Sequence, residues 1–291
     1  MKSRADWGNR QGNSERCFLY FLNEINDLVC HFESHQPPQR FPCADGPSGP
    51  FFIDAMSFDA VTTFADAHWD SHARRCVESF DQHWRGVRLR AYRDTQLETA
   101  STWLRPFKER HAARSTVNYR FDAVRFAHKV AAIELAYASG TAQALVWMDA
   151  DCVTHADVDA AWLSGLLGDA DFGYLRRSRM YSECGFMIFR RGPACDTLLR
   201  RLVELYRSDG LFQLDEWHDS FAIDHVRKQC EAAGELSCVS LSGGAENTMH
   251  PLVNGPLGAR LDHLKGPRKQ AGRSHRRDLV RRRSEPYWKS A

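Results

Sequence analysis

One segment restricts the fold more than any other: Ala144-Leu-Val-Trp-Met-Asp149-Ala-Asp151-Cys-Val153. An apolar run of strand character stops abruptly at two carboxylates separated by one small residue. Alternate side chains of a strand share a face, so Asp149 and Asp151 can point the same way. Two unpaired carboxylates at the mouth of a buried strand would repel each other and lose hydration. A divalent cation removes both problems, and hard ions such as Mn2+ or Mg2+ prefer oxygen ligands. The segment therefore predicts a metal site at the carboxyl edge of an α/β sheet, where such folds bind ligands. The plain alternative is a strand followed by an acidic turn.

The surrounding chain fits that expectation. Its 43% hydrophobic and 26% charged residues are ordinary for a globular enzyme of 291 residues. A formal net charge of +2 gives no global argument for nucleic acid. The best apolar run near the start, residues 17–22, leads straight into Asn23, Glu24, Asn26 and Asp27. It is too short to span a membrane and lacks the cleavage site of a secretory signal. Nine scattered cysteines suit reduced thiols, and so a cytoplasmic location.

Along the chain, residues 1–56 read as an appendage with one amphipathic helix and a Pro/Gly-rich linker. Strands are expected at 60–65, 87–92, 144–148, 172–175, 184–189 and 236–241. Helices are expected from Asp70 to Trp84, Ala123 to Ser139 (closed by Gly140), Asp157 to Leu167, Ala194 to Ser208 and Asp215 to Ala233. This alternation predicts one three-layer α/β/α domain over 57–270 with a mostly parallel, mixed sheet. Beyond Gly243 regular patterns fade, and 247–266 reads as a binding loop. The last segment, 271–291, is a basic tail; residues 265–289 carry ten Lys or Arg against Asp278 and Glu285.

Three further features line up with the acidic pair: His263-Leu-Lys265-Gly266-Pro-Arg-Lys269, Ser182-Glu183-Cys184-Gly185, and Asp215-Glu216-Trp217-His218-Asp219. An imidazole is a good third ligand for Mn2+ beside carboxylates. Gly266 would let backbone approach a phosphate, and Lys269 would neutralise its charge. Together these residues resemble the GT-A fold glycosyltransferases, whose hallmark is a DxD motif ending a central strand. The spacing His263, Gly266, Lys269 is similar to the HxxGxxK element of the family-eight, glycogenin-like members. Gln270-Ala271 stand where those members usually continue with Pro-Trp.

The resemblance implies a sugar transferred from a nucleoside-diphosphate donor with Mn2+ or Mg2+. It casts Asp149, Asp151 and His263 as metal ligands, with Asp149 also facing the donor. Thr63, Phe64 and Ala65 would contact the nucleoside, Lys129 the donor, and Lys265, Gly266 and Lys269 the diphosphate. Glu183 and Asp219 become candidates for the sugar or acceptor pocket, with Asp219 the general base if the reaction inverts. Against these stand plainer readings: Lys129 as a solvated helix charge, Asp215, Glu216 and Asp219 as first-turn acids that complement a helix dipole, and His250 in place of His263.

The tail offers a separate reading. Arg273-Ser-His-Arg-Arg277, Arg281-Arg-Arg283 and Tyr287-Trp288 join positive charge to aromatic rings, a combination that can hold a polyanion. The acceptor would then be a glycan, a lipid-linked sugar or modified DNA. Two rival functions share the same residues. One is a haloacid-dehalogenase-like phosphatase with Asp149 as nucleophile, although that fold puts its motif on the first strand. The other is a non-enzymatic nucleic-acid-binding protein acting through the tail.

Overall fold

A computed structural model describes residues 56–114 and 116–289. The expected helix and linker within residues 1–55 lie outside the described residues. The sheet is built from β1 (Phe58–Phe64), β2 (Arg88–Arg93), β3 (Ala144–Met148), β5 (Phe172–Leu175), β6 (Glu183–Arg190) and β7 (Cys238–Ser240), in the order β2-β1-β3-β6-β5-β7. A short antiparallel pair, β4 (Cys152–Thr154) with β8 (Leu261–His263), stands apart from it. The β1–β2, β1–β3 and β5–β7 pairings are parallel, while β6 runs antiparallel to both of its neighbours. The reason is connection length. Only residues 176–182 join β5 to β6, too few for the crossover that a parallel pairing needs.

Helices cover both faces. The alternation of β3 decides which side chains go where: Ala144, Val146 and Met148 enter one core with Phe58, Ala60, Phe186 and Ile188. That core is closed by Cys76 and Phe80 of α1 (Arg74–His83), Leu163 and Leu167 of α5 (Ala160–Leu167), and Trp288 near the carboxyl end. Trp147, of the opposite parity, lies beneath α4 (Ala123–Ser139), whose Lys129 ammonium is 5.1 Å from the indole centre. Helix α4 also packs against α2 (Asp94–Ala100), α3 (Leu104–His111), α6 (Pro193–Arg207) and α7 (Asp219–Ala232).

Several boundaries differ from expectation, each for a local reason. The helix expected from Asp157 begins at Ala160, capped by Asp159, whose carboxylate accepts from Trp162 N at 2.8 Å. Asp157 is instead engaged by Arg85 and His83, both at 3.3 Å. Helix α7 starts at Asp219, with His218 Nδ1 as the capping acceptor; Asp215 and Glu216 precede it. The helix expected from Asp70 opens as a wider π turn, Trp69–Ala73, before α1. Helices α2 and α3 were not anticipated.

The carboxyl-terminal segment is structured as well. The Ser274 amide and hydroxyl donate to Asp262 at 2.7 and 2.5 Å, and Tyr287 Oη donates to the same carboxylate at 2.8 Å. Trp288 Nε1 donates to Gly258 O at 2.7 Å. Among the described residues no helix is long and apolar enough to cross a membrane, and the six described cysteines are free.

Candidate active site

Strand β3 delivers Asp149 to the carboxyl edge of the sheet, where Asp149 N still bonds Gly185 O of β6 at 2.9 Å. The chain then turns rather than continuing extended, since Cys152 N bonds back to Asp149 O at 2.9 Å. Asp149 and Asp151 thus stand on a tight turn and not on one face of a continuing strand. The β4–β8 pair completes the arrangement: His263 sits opposite Cys152, and Leu264 N bonds Asp151 O at 2.9 Å. Three residues of strand therefore bring a distant histidine beside the acidic turn.

His263 Nε2 lies 3.1 Å from Asp151 Oδ1 and 3.7 Å from Asp149 Oδ2. Its Nδ1 is 2.7 Å from Glu183 Oε1. Burial alone would lower the pKa of this imidazole, but Asp151 and Glu183 outweigh it and raise the value to about 9. The ring fits only because residue 185 has no side chain. A Cβ there would stand 2.6 Å from His263 Nδ1 and closer still to Cε1.

Each acidic group already has a cation. Lys269 Nζ is 2.9 Å from Asp151 Oδ2, and Lys129 Nζ is 2.7 Å from Asp149 Oδ1. Lys129 also contacts Asp219 and donates to Cys184 O at 3.1 Å. Burial opposes the charged form of Lys129, yet Asp149 and Asp219 hold its pKa above the usual lysine value. Burial likewise disfavours ionised Asp151, but His263 and Lys269 keep it well below the usual carboxylate range. Asp219 is lowered in the same way, against its burial, by Lys129 and His218. Glu183 is 3% exposed. Its oxygens are taken by His263, Lys265 at 2.9 Å and Arg177 at 2.9 Å.

The structure thus brings Asp149, Asp151, His263, Lys129, Lys269, Asp219, Glu183 and Lys265 into one connected network. Lys265 points its charge at Glu183. Gly266 adopts φ +57°, a left-handed turn that an L side chain would strain, and its carbonyl accepts from Lys269 N at 3.1 Å. Phe64 reaches the network by packing against Ala150 and Ala73. The Thr63 hydroxyl is turned to the neighbouring strand, donating to Tyr92 O at 3.0 Å, and Ala65 is half-buried at the end of β1. His250, the competing ligand, packs edge-on to His263 with ring centres 5.7 Å apart, and neither of its ring nitrogens has a hydrogen-bond partner among the described residues.

Sequence reasoning missed four contributors. Trp147 Nε1 donates to Asp149 Oδ1 at 2.9 Å. His72 feels Lys269 and Asp151 but is governed first by burial, which lowers its pKa to about 4. Arg75 donates to Lys269 O at 3.2 Å. Arg177 anchors Glu183. Only Trp147 carried a local signal, sharing a strand face with Asp149.

Ligand atoms of Asp151, Cys152 and His263 lie within 4.8 Å of one another. Burial holds the Cys152 thiol well above its usual pKa, so it is not a ready thiolate ligand. The carboxylate–imidazole pair fits a hard ion. Donors about 2.1 Å from an ion on adjacent octahedral corners stand about 3 Å apart, close to the 3.1 Å between His263 and Asp151.

The described tail aromatics are turned inward. Tyr287 stacks on His155 with ring centres 4.1 Å apart, and Trp288 is buried. Arg277, Arg281 and Arg282 remain exposed.

No protein-family model matches the sequence, and no curated protein matches it. Solved glycosyltransferase structures share parts of the architecture. The apo form of GlyE from Streptococcus pneumoniae TIGR4 is 10% identical with a TM-score of 0.37, over 63% of this chain and 45% of that one. The chain therefore spans less than half the length of GlyE. Mouse xyloside xylosyltransferase 1 is 12% identical with a TM-score of 0.38, over 63% of this chain and 84% of that one. A glycosyltransferase involved in glycosylation of the major capsid of PBCV-1 is 9% identical with a TM-score of 0.45, over 74% of this chain and 98% of that one.

Proposed function

We propose that this protein is a glycosyltransferase that moves a sugar from a nucleoside-diphosphate donor, using Mn2+ or Mg2+, in a reducing, cytoplasmic compartment. The observation that carries the reading is the meeting of His263 Nε2 with the carboxylates of Asp151 and Asp149 at 3.1 and 3.7 Å, with Lys269 on the same acidic turn. Asp149, Asp151 and His263 would hold the ion, and imidazole among the donors favours Mn2+. When bound, the ion acts as a Lewis acid on the leaving diphosphate.

The remaining work falls to the chain. Lys269, 29% exposed at its side chain, is free to swing from Asp151 to a phosphate oxygen. Glu183 acts through His263: buried and fully bonded, it fixes the ring so that Nε2 faces the acidic turn. Asp219 holds Lys129 against Asp149, which sets the orientation of the first carboxylate. If the reaction inverts, Asp219, once Lys129 turns to the donor, would be the carboxylate that accepts the acceptor's hydroxyl proton. The hydroxyl oxygen then bonds the anomeric carbon, and the bond to the diphosphate breaks with its electron pair. Gly266, with Thr63, Phe64 and Ala65 at the end of β1, would line the donor side. A phosphatase with Asp149 as nucleophile is less well supported, because Lys129 and Trp147 both occupy Asp149 Oδ1.

A panel of sugar nucleotides assayed for Mn2+-dependent hydrolysis tests the reading. Asp151→Asn should abolish turnover while the protein still melts cooperatively; full turnover in that variant refutes the site. His263→Ala should raise the Mn2+ requirement, and an unchanged Mn2+ titration would transfer the ligand role to His250.

A further inference from the structure

A cleft of about 840 Å3 lies between the 176–182 connection and the outer face of α7. Six basic and three acidic side chains line it. The acids are already committed: Glu216 to Arg120 at 3.2 Å, Asp224 to Arg227 at 3.2 Å and Lys228 at 3.5 Å, and Glu231 to Arg227. The surplus positive charge rests on the connection itself. Arg176 and Arg179 are both exposed, and Arg179 makes no ion pair or side-chain hydrogen bond among the described residues.

A second observation points to the same ligand. The Arg177 side chain is 10% exposed, and one terminal nitrogen is anchored on Glu183 at 2.9 Å. Its Nε is buried without a partner among the described residues, while the residue lines the cleft. A buried guanidinium N–H without an acceptor is unfavourable. An oxyanion in the cleft would satisfy it if the side chain turned outward from Glu183. Tyr181 and Phe221 add aromatic surface of the kind that packs against sugar rings.

The cleft also backs onto the candidate active site. Ser182 directly precedes Glu183, and the Tyr181 ring lies 4.3 Å from that of His218, which caps the helix beginning at Asp219.

We infer that this cleft seats the acceptor, and that the acceptor is a sugar carrying a phosphate, sulfate or carboxylate group held by Arg176, Arg177 and Arg179. The word acceptor rests on the transferase reading; the anion preference does not. Glucose 6-phosphate and glucose serve as probes, titrated calorimetrically into the full chain with chelator present and no donor. The wild type should prefer the phosphorylated sugar by about tenfold or more, and the preference should fall with added salt. The double substitution Arg176→Ser with Arg179→Ser should lose the preference at an unchanged melting midpoint. Lys269→Ala, which removes a cation from the acidic turn, should keep it.

Retention of the preference in the double variant overturns the assignment. So does its loss in Lys269→Ala, or the absence of any preference in the wild type. Displacement of the sugar phosphate by much lower concentrations of a short single-stranded oligonucleotide would replace it with a nucleic-acid site. If the preference stands but no sugar nucleotide is ever turned over, the transferase reading falls and the anion cleft survives.

Discussion

Gly185→Ala is the substitution that most directly tests how the site is assembled. The added methyl would stand 2.6 Å from His263 Nδ1, whereas comfortable contacts between heavy atoms are about 3.5 Å. Something must yield by about 1 Å. Strand β6 is held between β3 and β5, and Gly185 O accepts from Asp149 N at 2.9 Å. The imidazole is therefore what moves. It is clamped by Glu183 at 2.7 Å and Asp151 at 3.1 Å, and a shift of that size takes both contacts out of hydrogen-bonding range. Each is charge-assisted and contributes about 1.5–3 kcal/mol, while overpacking alone costs about 1–3 kcal/mol. These effects share one ring and do not add fully.

The expected loss is about 3 kcal/mol, or a fall of about 5 °C in melting temperature for a chain of this size. Mn2+ affinity should drop by about 10- to 100-fold, as when other groups that orient a metal ligand are lost. Scanning calorimetry with and without Mn2+, together with Mn2+ titration, reads both effects. A variant melting within about 1 °C of wild type and binding Mn2+ equally well would refute the packing argument.

Other substitutions separate packing from chemistry. Gly165→Ala lies within α5 with nothing within 4 Å of the added carbon, so denaturant melts should show a gain of about 0.5–1 kcal/mol; a loss would reveal unseen crowding. Trp288→Ala should cost about 3–5 kcal/mol, because the indole is 3% exposed and bonds Gly258 O; an unchanged midpoint would mean that the carboxyl-terminal segment is dispensable to the fold. For His155, burial lowers the pKa to about 4 in the folded chain against 6.5 unfolded. The unfolded chain therefore binds the extra proton, so stability is full above pH 6.5 and declines as pH falls toward 4. At pH 5 the loss reaches about 2 kcal/mol at most, and His155→Phe, which keeps the stack on Tyr287, should remove that part of the pH dependence in urea melts. Parallel stability–pH curves for the two proteins would contradict the assignment.

Legibility in the sequence followed the range of the forces involved. Strand β3 and helix α4 lie where periodicity put them, because both are buried elements whose pattern is local. Gly140 does end α4, yet its φ is −86°. A Cβ there would instead meet the Asp59 carboxylate at 2.6 Å and the Arg191 guanidinium, so space and not backbone freedom selects glycine. Helix starts were misjudged where a long-range partner competed for the acid: Asp157 is drawn to Arg85. The acidic pair and His263 were legible as motifs, whereas β8, which brings them together, is only three residues long and lost among loop residues. Arg177, His72 and Arg75 join through tertiary contacts alone, which no local pattern records.

The carboxylates, which the sequence alone leaves without partners, are paired in the structure. Asp149, Asp151, Glu183 and Asp219 are opposed by Lys129, Lys265, Lys269, Arg177 and a protonated His263. Five cationic side chains thus face four carboxylates. These partners are not equally held. The Lys129 side chain is 10% exposed and bound by two carboxylates and a carbonyl, whereas that of Lys269 is 29% exposed on a four-residue helix after a glycine turn. If Asp151 and His263 hold a divalent ion, as proposed, the imidazole would have to give up its proton and Lys269 its contact with Asp151. Under the proposed transfer, the Lys269 ammonium would then be available to the donor's diphosphate, while Lys129 stays between Asp149 and Asp219 until the donor draws it away. On the proposed reading, Mn2+ should therefore bind weakly alone and more tightly with a nucleoside diphosphate present, and a Mn2+ affinity that the diphosphate leaves unchanged would contradict it.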